Sequence, residues 1–227
     1  MSLEIIDRDR HFVVVNKPAG VGVGTDDSRD ETLLERVRAW YQAEVSPSGK
    51  GYCVPIHFLD RPVSGAIVFA LSSKAAARLN DQFKKRRVSK QYLAIVRGRP
   101  AQDEAELRHH LVKDRGRNVT RTTSADDPDG KECVLSYKVV ASDGSYSALL
   151  VKPVTGRSHQ IRVQLATLGT PICGDLKYGD TKPWHERIAL HALHLSIEHP
   201  TEKTPMNFTA PLPSAFHADF ANLIKDV

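Results

Sequence analysis

The stretch CVLSYKVVASDGSYSALLVKPV, residues 133–154, consists of two apolar segments on either side of the turn sequence SDGS. The segments are rich in the β-branched and aromatic residues that favour strands, and the short turn between them predicts an antiparallel hairpin. Outward from this hairpin, four more segments have the apolar character of strands. They are His11–Asn16, Ala66–Leu71, Val88–Val96 and Leu190–Ile197.

Apolar residues at helical spacing predict four helices. The predicted helices cover Thr32–Ala43, the segment from an N-cap at Ser73 to the basic run at Lys84, His159–Leu168 and Phe216–Ile224. Strands outnumber helices, and several strands are linked as hairpins. The sequence therefore predicts an α+β fold with a mixed, mostly antiparallel sheet rather than a doubly wound parallel sheet.

The composition is that of a globular protein with a basic balance, 32 Lys+Arg against 27 Asp+Glu in 227 residues. This length can bury a core in one large domain or in two closely joined lobes. A formal charge of +5 favours a polyanionic partner, although a solvated surface explains it almost as well. The apolar runs are too short to span a membrane, and the charged N-terminus argues against a signal peptide. We therefore expect a cytoplasmic protein without a membrane partner.

Metal and cofactor chemistry has little support in the sequence. The cysteines Cys53, Cys133 and Cys173 lie far apart without C-x-x-C spacing, and the histidines lack metal-ligand spacing. A phosphate-binding G-x-x-x-x-G-K-[ST] motif is absent, and the glycines at Gly20, Gly22 and Gly24 are not followed by a clear βα unit. We expect no metal and no cofactor.

Basic residues concentrate in two segments. KKRR, Lys84–Arg87, lies at the end of a predicted helix with Lys90 just beyond, and KDRGRNVTR, residues 113–121, is predicted to be an exposed loop. Cations at a helix C-terminus also have a structural explanation. Either each segment is plain solvated surface, or the segments contact the phosphates of a nucleic acid.

A lone acidic residue, Asp60, lies in the stretch IHFLDRPVSG, residues 56–65, which is stiffened by Pro62. Aspartates in turns commonly accept hydrogen bonds from nearby main-chain amides. The same carboxylate could instead act as a nucleophile. The stretch by itself leaves both interpretations open.

Four further motifs accompany this stretch in a fixed order. The five motifs, in chain order, are VVVNKPAGVGV, IHFLDRPVSG, SKQYLAIVRG, KPVTGRSHQIRVQLATLGTPICGD and LHALHLSIEHP. With them the chain resembles the RluA-type pseudouridine synthases from about Val13 to Pro213. The piece DRPVSG looks like the tRNA-modifying, TruC-like branch of that family.

The resemblance implies a cofactor-free isomerase that converts uridine in rRNA or tRNA to pseudouridine. It implies two lobes with a central basic cleft, in a single catalytic domain over residues 1–227 without a separate N-terminal RNA-binding domain. Asp60 falls on the family's nucleophile, Tyr92 on its active-site tyrosine, and Arg162 on the arginine that partners the nucleophile. We expect a monomer.

These roles agree with the chemistry of the residues. A guanidinium favours an ionised carboxylate and opposes the effect of burial on its pKa. On a helix from His159, Arg162 is expected at the edge of the core-facing stripe, from which it can reach a cleft without being buried. Tyr92 is expected to stack on uracil or to accept the proton from carbon 5. Without the resemblance, Tyr92 would be interpreted as a packed aromatic and Arg162 as a helix-surface residue.

Contacts to RNA are expected from Arg61, Arg157 and His159 as well as from the basic segments. Phe58 stands where the family has arginine, so it either fills the gap left by an extruded uridine or packs in the core. We expect His57 to be a structural hydrogen-bonding residue and Lys17 to be either a scaffold or a phosphate-binding residue.

Two rival functions remain open. One is a non-catalytic RNA-binding relative of the family, and the other is a hydrolase with an aspartyl nucleophile. A hydrolase requires a second catalytic carboxylate or a metal, and neither is evident in the sequence.

Overall fold

A computed structural model describes residues 3–24, 30–47, 51–185, 187–225 and 227. The α-helices are α1 (Leu33–Glu44), α2 (Ser73–Lys84), α3 (Gln160–Thr167) and α4 (Ser214–Phe220), and short 3-10 helices cover Leu176–Tyr178 and Ala221–Leu223. The strands are β1 (Ile5–Arg8), β2 (Phe12–Lys17), β3 (Val54–Pro55), β4 (Ser64–Ala70), β5 (Ser89–Arg97), β6 (Glu104–Asp114), β7 (Val119–Thr123), β8 (Lys131–Ser142), β9 (Tyr146–Pro153), β10 (Leu190–Glu198) and β11 (Pro205–Thr209).

The chain divides into two compact units. The first consists of Met1–Lys90 and Ala192–Leu212, and the second of Gln91–His191 and Pro213–Val227. Strands β5 and β10 each contain a boundary between the units. The predicted segments are present with small shifts at their ends, and the terminal helix is divided into α4 and a 3-10 turn.

The first unit is built on the buried strands β2 and β4, which pair antiparallel from Phe12↔Ala70 to Lys17↔Gly65. β1 pairs with β2, β3 with β4 and β11 with β10, all antiparallel. Helix α2 contributes Ala75, Ala76 and Leu79 to the apolar core. A Cβ on Gly65, whose φ is +118°, would lie about 2.4 Å from the main-chain oxygen of Ala192, so this strand position requires glycine.

Both long helices of the first unit begin at a capping side chain. The Thr32 hydroxyl accepts the Glu35 N–H, and the Glu35 carboxylate accepts the Thr32 N–H, which completes a capping box for α1. The Ser72 hydroxyl accepts the Ala75 N–H and caps α2. The prediction of Ser73 as this N-cap was therefore wrong by one residue.

The second unit contains the strand order β5-β9-β8-β6-β7, and every pair in this series is antiparallel. The hairpin predicted over residues 133–154 is β8–β9. Leu111 and Cys133 of the sheet form a small apolar cluster with Val163 of α3, and Tyr178 packs against it. The predicted mostly antiparallel arrangement is thus confirmed.

The segment KDRGRNVTR is not a continuous loop, so that expectation was wrong. Lys113 pairs with Thr120 and Asp114 with Val119, which leaves only residues 115–118 as the turn of the β6–β7 hairpin. The strands were missed because they carry few apolar residues on an exposed hairpin, where alternation between a core face and a solvent face is weak.

Cys53, Cys133 and Cys173 are buried free thiols. Among the residues that the structure describes, no group of three or more His, Cys, Asp or Glu side chains could hold a metal ion. No helix in this part of the chain is long and apolar enough to cross a membrane.

Candidate active site and RNA-binding residues

Asp60 lies in a loop of the first unit between a buried leucine and a tight turn. Leu59 is buried and fixes the preceding residue of the loop. The Val63 N–H donates to the Asp60 carbonyl at 3.0 Å, which closes a turn through Pro62. Asp60 itself is partly buried. The main chain that carries the Asp60 side chain therefore has little conformational freedom.

Lys17 connects this loop to the motif NKPAG. Its side chain is fully buried, and the ammonium donates to the carbonyls of Pro18, Val21 and Arg61 at 3.0, 2.7 and 3.1 Å. Burial lowers the pKa of Lys17 to about 7, although the charge of Asp60 acts in the opposite direction. Between the two roles that the sequence left open for Lys17, this burial favours the scaffold over phosphate binding.

Arg61 makes a second connection between the same two segments. Its Nε donates to the Gly20 carbonyl at 2.9 Å, and the Gly20 N–H donates to the Arg61 carbonyl at 2.8 Å. The guanidinium also forms an ion pair with Asp30. Arg61 thus has structural contacts, and its contact with RNA stays a prediction.

The two residues that precede Leu59 differ sharply in environment. Phe58 is 68% exposed, so the alternative that placed it in the core was wrong. His57 stacks on Phe83 with ring centroids 4.9 Å apart, and its Nε2 accepts the Val68 N–H at 3.3 Å. Burial lowers the pKa of His57 to about 3, so the ring is neutral and has the structural role that was expected.

Tyr92 lies in β5 of the second unit, where it pairs with Val151 of β9. The ring is almost completely buried. Leu93 and Ala94, which follow it, are fully buried, so the strand holds the position of Tyr92 in a packed sheet. A buried strand is a rigid support for a stacking residue.

Arg162 is buried in α3, so the expectation that it lies unburied at the edge of the core-facing stripe was wrong. Its Nε and Nη2 donate to the two carboxylate oxygens of Asp175 at 2.7 and 2.8 Å. A bidentate pair compensates a buried guanidinium, which helical periodicity alone does not reveal. Sequence reasoning missed Asp175, although it is the last residue of the quoted motif that contains Arg162.

Tyr178 also contacts the Arg162 guanidinium. The Arg162 Cζ is 4.8 Å from the centroid of the Tyr178 ring. The Tyr178 hydroxyl accepts the Thr120 N–H at 2.9 Å and lies 2.5 Å from His159 Nδ1. His159 is buried in the left-handed conformation at the start of α3, and Arg157 is exposed. RNA contacts by His159 and Arg157 stay predictions.

The basic run at the end of α2 is exposed throughout, at Lys84, Lys85, Arg86 and Arg87. Asp81 forms ion pairs with Lys85 at 3.0 Å and with Arg87 at 2.8 Å. Lys90 is partly buried, and burial lowers its pKa. One carboxylate therefore offsets part of a four-residue positive charge, and most of that charge faces solvent.

The β6–β7 hairpin carries a second positive surface in the second unit. Its exposed cations are Lys113, Arg115, Arg117 and Arg121. Lys177 donates to the carbonyl of Asn118 at 3.1 Å, at the tip of the hairpin. We call these four hairpin cations the hairpin cluster, and the four at the end of α2 the α2 cluster.

Comparisons with known proteins agree on one family. The model of the RNA pseudouridylate synthase family matches residues 11–167. The chain is 35% identical over 214 residues to the dual-specificity RNA pseudouridine synthase RluA of Pasteurella multocida, covering 92% of this chain and 93% of that protein. It is 34% identical over 226 residues to the uncharacterized RNA pseudouridine synthase YhcT of Bacillus subtilis, covering 98% and 72%.

Solved structures support the fold. The human protein described as RNA pseudouridylate synthase domain containing 4 superimposes with a TM-score of 0.81 at 24% identity, over 97% of this chain and 93% of that one. The human domain containing 1 protein gives a TM-score of 0.76 at 29% identity, over 99% and 94%. The chain therefore belongs to the RNA pseudouridylate synthase family, whose members are isomerases that act on uridine in RNA. The predicted family, fold class and enzyme class are confirmed.

Proposed function

We propose that the protein isomerises a specific uridine of rRNA or tRNA to pseudouridine, with Asp60 as the nucleophile. The observation that carries this proposal is the way the Asp60 loop is held. The next residue's carbonyl accepts hydrogen bonds from Lys17 Nζ and from the Gly20 N–H, and Val63 closes the turn on Asp60 itself. A nucleophile needs such preorganisation, because small displacements reduce the rate strongly.

The reaction is an isomerisation in which nothing is oxidised or reduced. The bond between uracil N1 and ribose C1′ breaks, the base turns, and a bond between C5 and C1′ forms. The hydrogen on C5 leaves as a proton, and N1 gains a proton. The Asp60 carboxylate would form a transient bond either to the ribose or to the base. Atoms and charge are conserved on both routes, because this bond breaks again before the product is released.

Tyr92 and Arg162 have supporting roles in this proposal. Tyr92 stacks on the uracil, and its hydroxyl is a candidate to take the C5 proton. Arg162 supplies a permanent positive charge that favours the ionised nucleophile, and its orientation is set in advance by Asp175. We propose that all three residues act on the same uridine and that residues 1–227 work as a single catalytic domain.

RNA binding is assigned to the exposed cations. The α2 cluster and the hairpin cluster would hold phosphates, since each offers cations that face solvent. Arg157 and Phe58 are exposed and could also reach the RNA. We further propose a monomer that works in the cytoplasm. The finer resemblance of DRPVSG to the tRNA-modifying branch stays a prediction.

The test is modification mapping of total RNA with and without the protein. Pseudouridine that appears at a defined position only with the wild-type protein supports the proposal and names the target. The matched control is Asp143→Asn, because Asp143 is a turn aspartate that accepts the Ser145 and Tyr146 N–H groups. Asp60→Asn should form no pseudouridine, and Asp143→Asn should behave like wild type. RNA that is bound by the wild-type protein but modified nowhere would favour the non-catalytic alternative.

Charge reversal of each basic cluster tests the assignment of RNA contacts. Reversing the α2 cluster should weaken RNA binding and flatten its salt dependence, by a slope of up to about 0.9 for each duplex phosphate that the variant no longer neutralises. The same reversal in the hairpin cluster is the matched experiment in the second unit. An unchanged affinity and salt slope would assign that cluster to plain surface.

A further inference from the structure

Tyr178 contacts Arg162, the β6–β7 hairpin and the start of α3. The proposed function gives these three parts of the second unit separate roles. It ends the 3-10 helix Leu176–Tyr178, which follows directly after Asp175. Its ring lies under the Arg162 guanidinium, and its hydroxyl bonds to Thr120 of the hairpin and to His159 at the start of α3. One side chain thus contacts the proposed catalytic arginine and the basic hairpin close to its turn.

The 3-10 helix fixes the hairpin at two places. The N–H of Thr120 in β7 donates to the Tyr178 hydroxyl, and Lys177 Nζ donates to the Asn118 carbonyl at the hairpin turn. Both bonds involve consecutive residues of one short helix. The position of the hairpin cluster is therefore tied to the position of Tyr178.

The same helix and its N-cap, Asp175, make two contacts with Arg162. The Tyr178 N–H donates to the Asp175 carbonyl at 3.0 Å, while the Asp175 carboxylate holds Nε and Nη2 of Arg162. The guanidinium therefore contacts both this carboxylate and the aromatic ring. A cation over an aromatic face is attracted to it, and the attraction is strongest where water is excluded.

We propose that Tyr178 is a positioning residue, which orients Arg162 for the reaction and couples that orientation to the RNA-binding hairpin. The inference rests on the proposed role of Arg162 in the reaction. Burial raises the pKa of Tyr178, so the side chain is a neutral phenol near neutral pH. The ring acts on the chemical step, and the hydroxyl acts on the hairpin.

The two functions of the side chain can be separated by two substitutions. Tyr178→Phe keeps the ring and removes the bonds to Thr120 and His159, so it should raise the KM for RNA severalfold with little change in kcat. Tyr178→Leu also removes the ring, so it should lower kcat about tenfold in addition. A residue with only a structural role would not divide kcat and KM in this way.

A second tyrosine provides a matched control. Arg97 contacts the ring of Tyr146 at 4.9 Å and forms an ion pair with Asp180, which reproduces the arrangement around Arg162. Tyr146→Phe and Tyr146→Leu should lower the melting temperature and leave both kinetic constants unchanged. All rates are measured below the lowest melting temperature, and if Tyr178→Leu does not fold, Tyr178→Phe decides alone through KM.

The outcomes separate this inference from the proposed function. Wild-type kcat and KM in both Tyr178 variants, together with a large fall in kcat for Arg162→Lys, would overturn only the role of Tyr178. An equal loss of kcat in the Tyr146 variants would also overturn it, because general loosening of the unit would then explain the effect. Full activity in Arg162→Lys would overturn the proposed role of the arginine itself.

Discussion

Two clusters of the second unit have the same three residue types, an arginine, a buried aspartate and a tyrosine whose ring lies against the guanidinium. They are Arg162, Asp175 and Tyr178, and Arg97, Asp180 and Tyr146. The first arginine side chain is 6% exposed and bidentate with its aspartate, and the second is 26% exposed and bonded through Nε at 2.9 Å.

The use of the tyrosine hydroxyl distinguishes the two clusters. Tyr146 accepts an N–H from Arg97 itself at 2.5 Å, so its hydroxyl stays within its own cluster. Tyr178 bonds instead to Thr120 and His159, which belong to other elements. The same residue types therefore form one cluster in which the tyrosine hydroxyl bonds to the arginine of that cluster, and one in which the hydroxyl connects a helix to a hairpin. Residue type alone does not identify a functional arginine.

The two aspartates should differ most clearly in their effect on stability. Asp175→Asn leaves a buried guanidinium without its counter-charge, so it should lower the free energy of unfolding by about 3–5 kcal/mol. Asp180→Asn should cost about 1–3 kcal/mol, because Arg97 reaches solvent. Urea unfolding at neutral pH measures both. Equal losses would show that the Arg162 pair is no more deeply desolvated than its counterpart.

The two arginines should differ in their effect on activity. Arg162→Lys retains a positive charge but loses the bidentate geometry, so kcat should fall by roughly 10²–10³-fold. Arg97→Lys should leave kcat unchanged while lowering the melting temperature. Initial rates of pseudouridine formation at saturating RNA test both variants. A similar fall in kcat for both would remove the functional distinction between the clusters.

Lys17 is also a buried basic residue, but its partners are three main-chain carbonyls rather than a carboxylate. Its pKa is lowered by burial from 10.5 to about 7, so between these values the unfolded chain binds more protons than the folded protein. The free energy of unfolding should therefore rise with pH in this window. Relative to Lys17→Met, the wild type should gain up to about 2–3 kcal/mol from pH 6 to 9.

The matched control for this pH dependence is Lys74→Met, which removes an exposed lysine at the start of α2. Its difference from wild type should not change with pH between 6 and 9. A constant difference for Lys17→Met as well would mean that the three carbonyls keep the ammonium charged throughout, contrary to the effect assigned to burial.

The Phe58 ring is exposed, whereas the rings of Tyr146 and Tyr178 are partly buried. Because the side chain is 68% exposed, Phe58→Ala should change the free energy of unfolding by less than about 0.5 kcal/mol. Loss of stacking should slow modification of folded RNA roughly tenfold and spare a short single strand. Val140→Ala, another exposed apolar side chain, is the control. Equal slowing on both substrates would exclude a role in extruding the base.

The sequence predicted the buried part of the fold better than its exposed part. Strands such as β4 are apolar throughout, and their composition identifies them directly. β6 and β7 carry charged residues on an exposed hairpin, so no apolar pattern marked them. A mostly polar strand is stabilised by pairing with its neighbour, and this partner is not visible in a local segment.

The candidate site was also predicted only in part: its motif residues were identified, and the partners that pack against them were not. The resemblance supplied Asp60, Tyr92 and Arg162, because it compares motifs rather than contacts. It did not supply Asp175 or Tyr178 as partners of the arginine, since both depend on packing between α3 and the short 3-10 helix that follows it. The burial of Arg162 was mispredicted for that reason, because helical periodicity treats arginine as polar and takes no account of a compensating carboxylate.

The most direct test of the central claim uses RNA labelled with tritium at C5 of uridine. Formation of the bond between C5 and C1′ releases this tritium to water, so release reports the isomerisation itself. The wild-type protein and Asp143→Asn should release tritium at the same rate, and Asp60→Asn should bind the RNA with wild-type affinity and release none. Release by Asp60→Asn at the wild-type rate would contradict the assignment of Asp60 as the nucleophile.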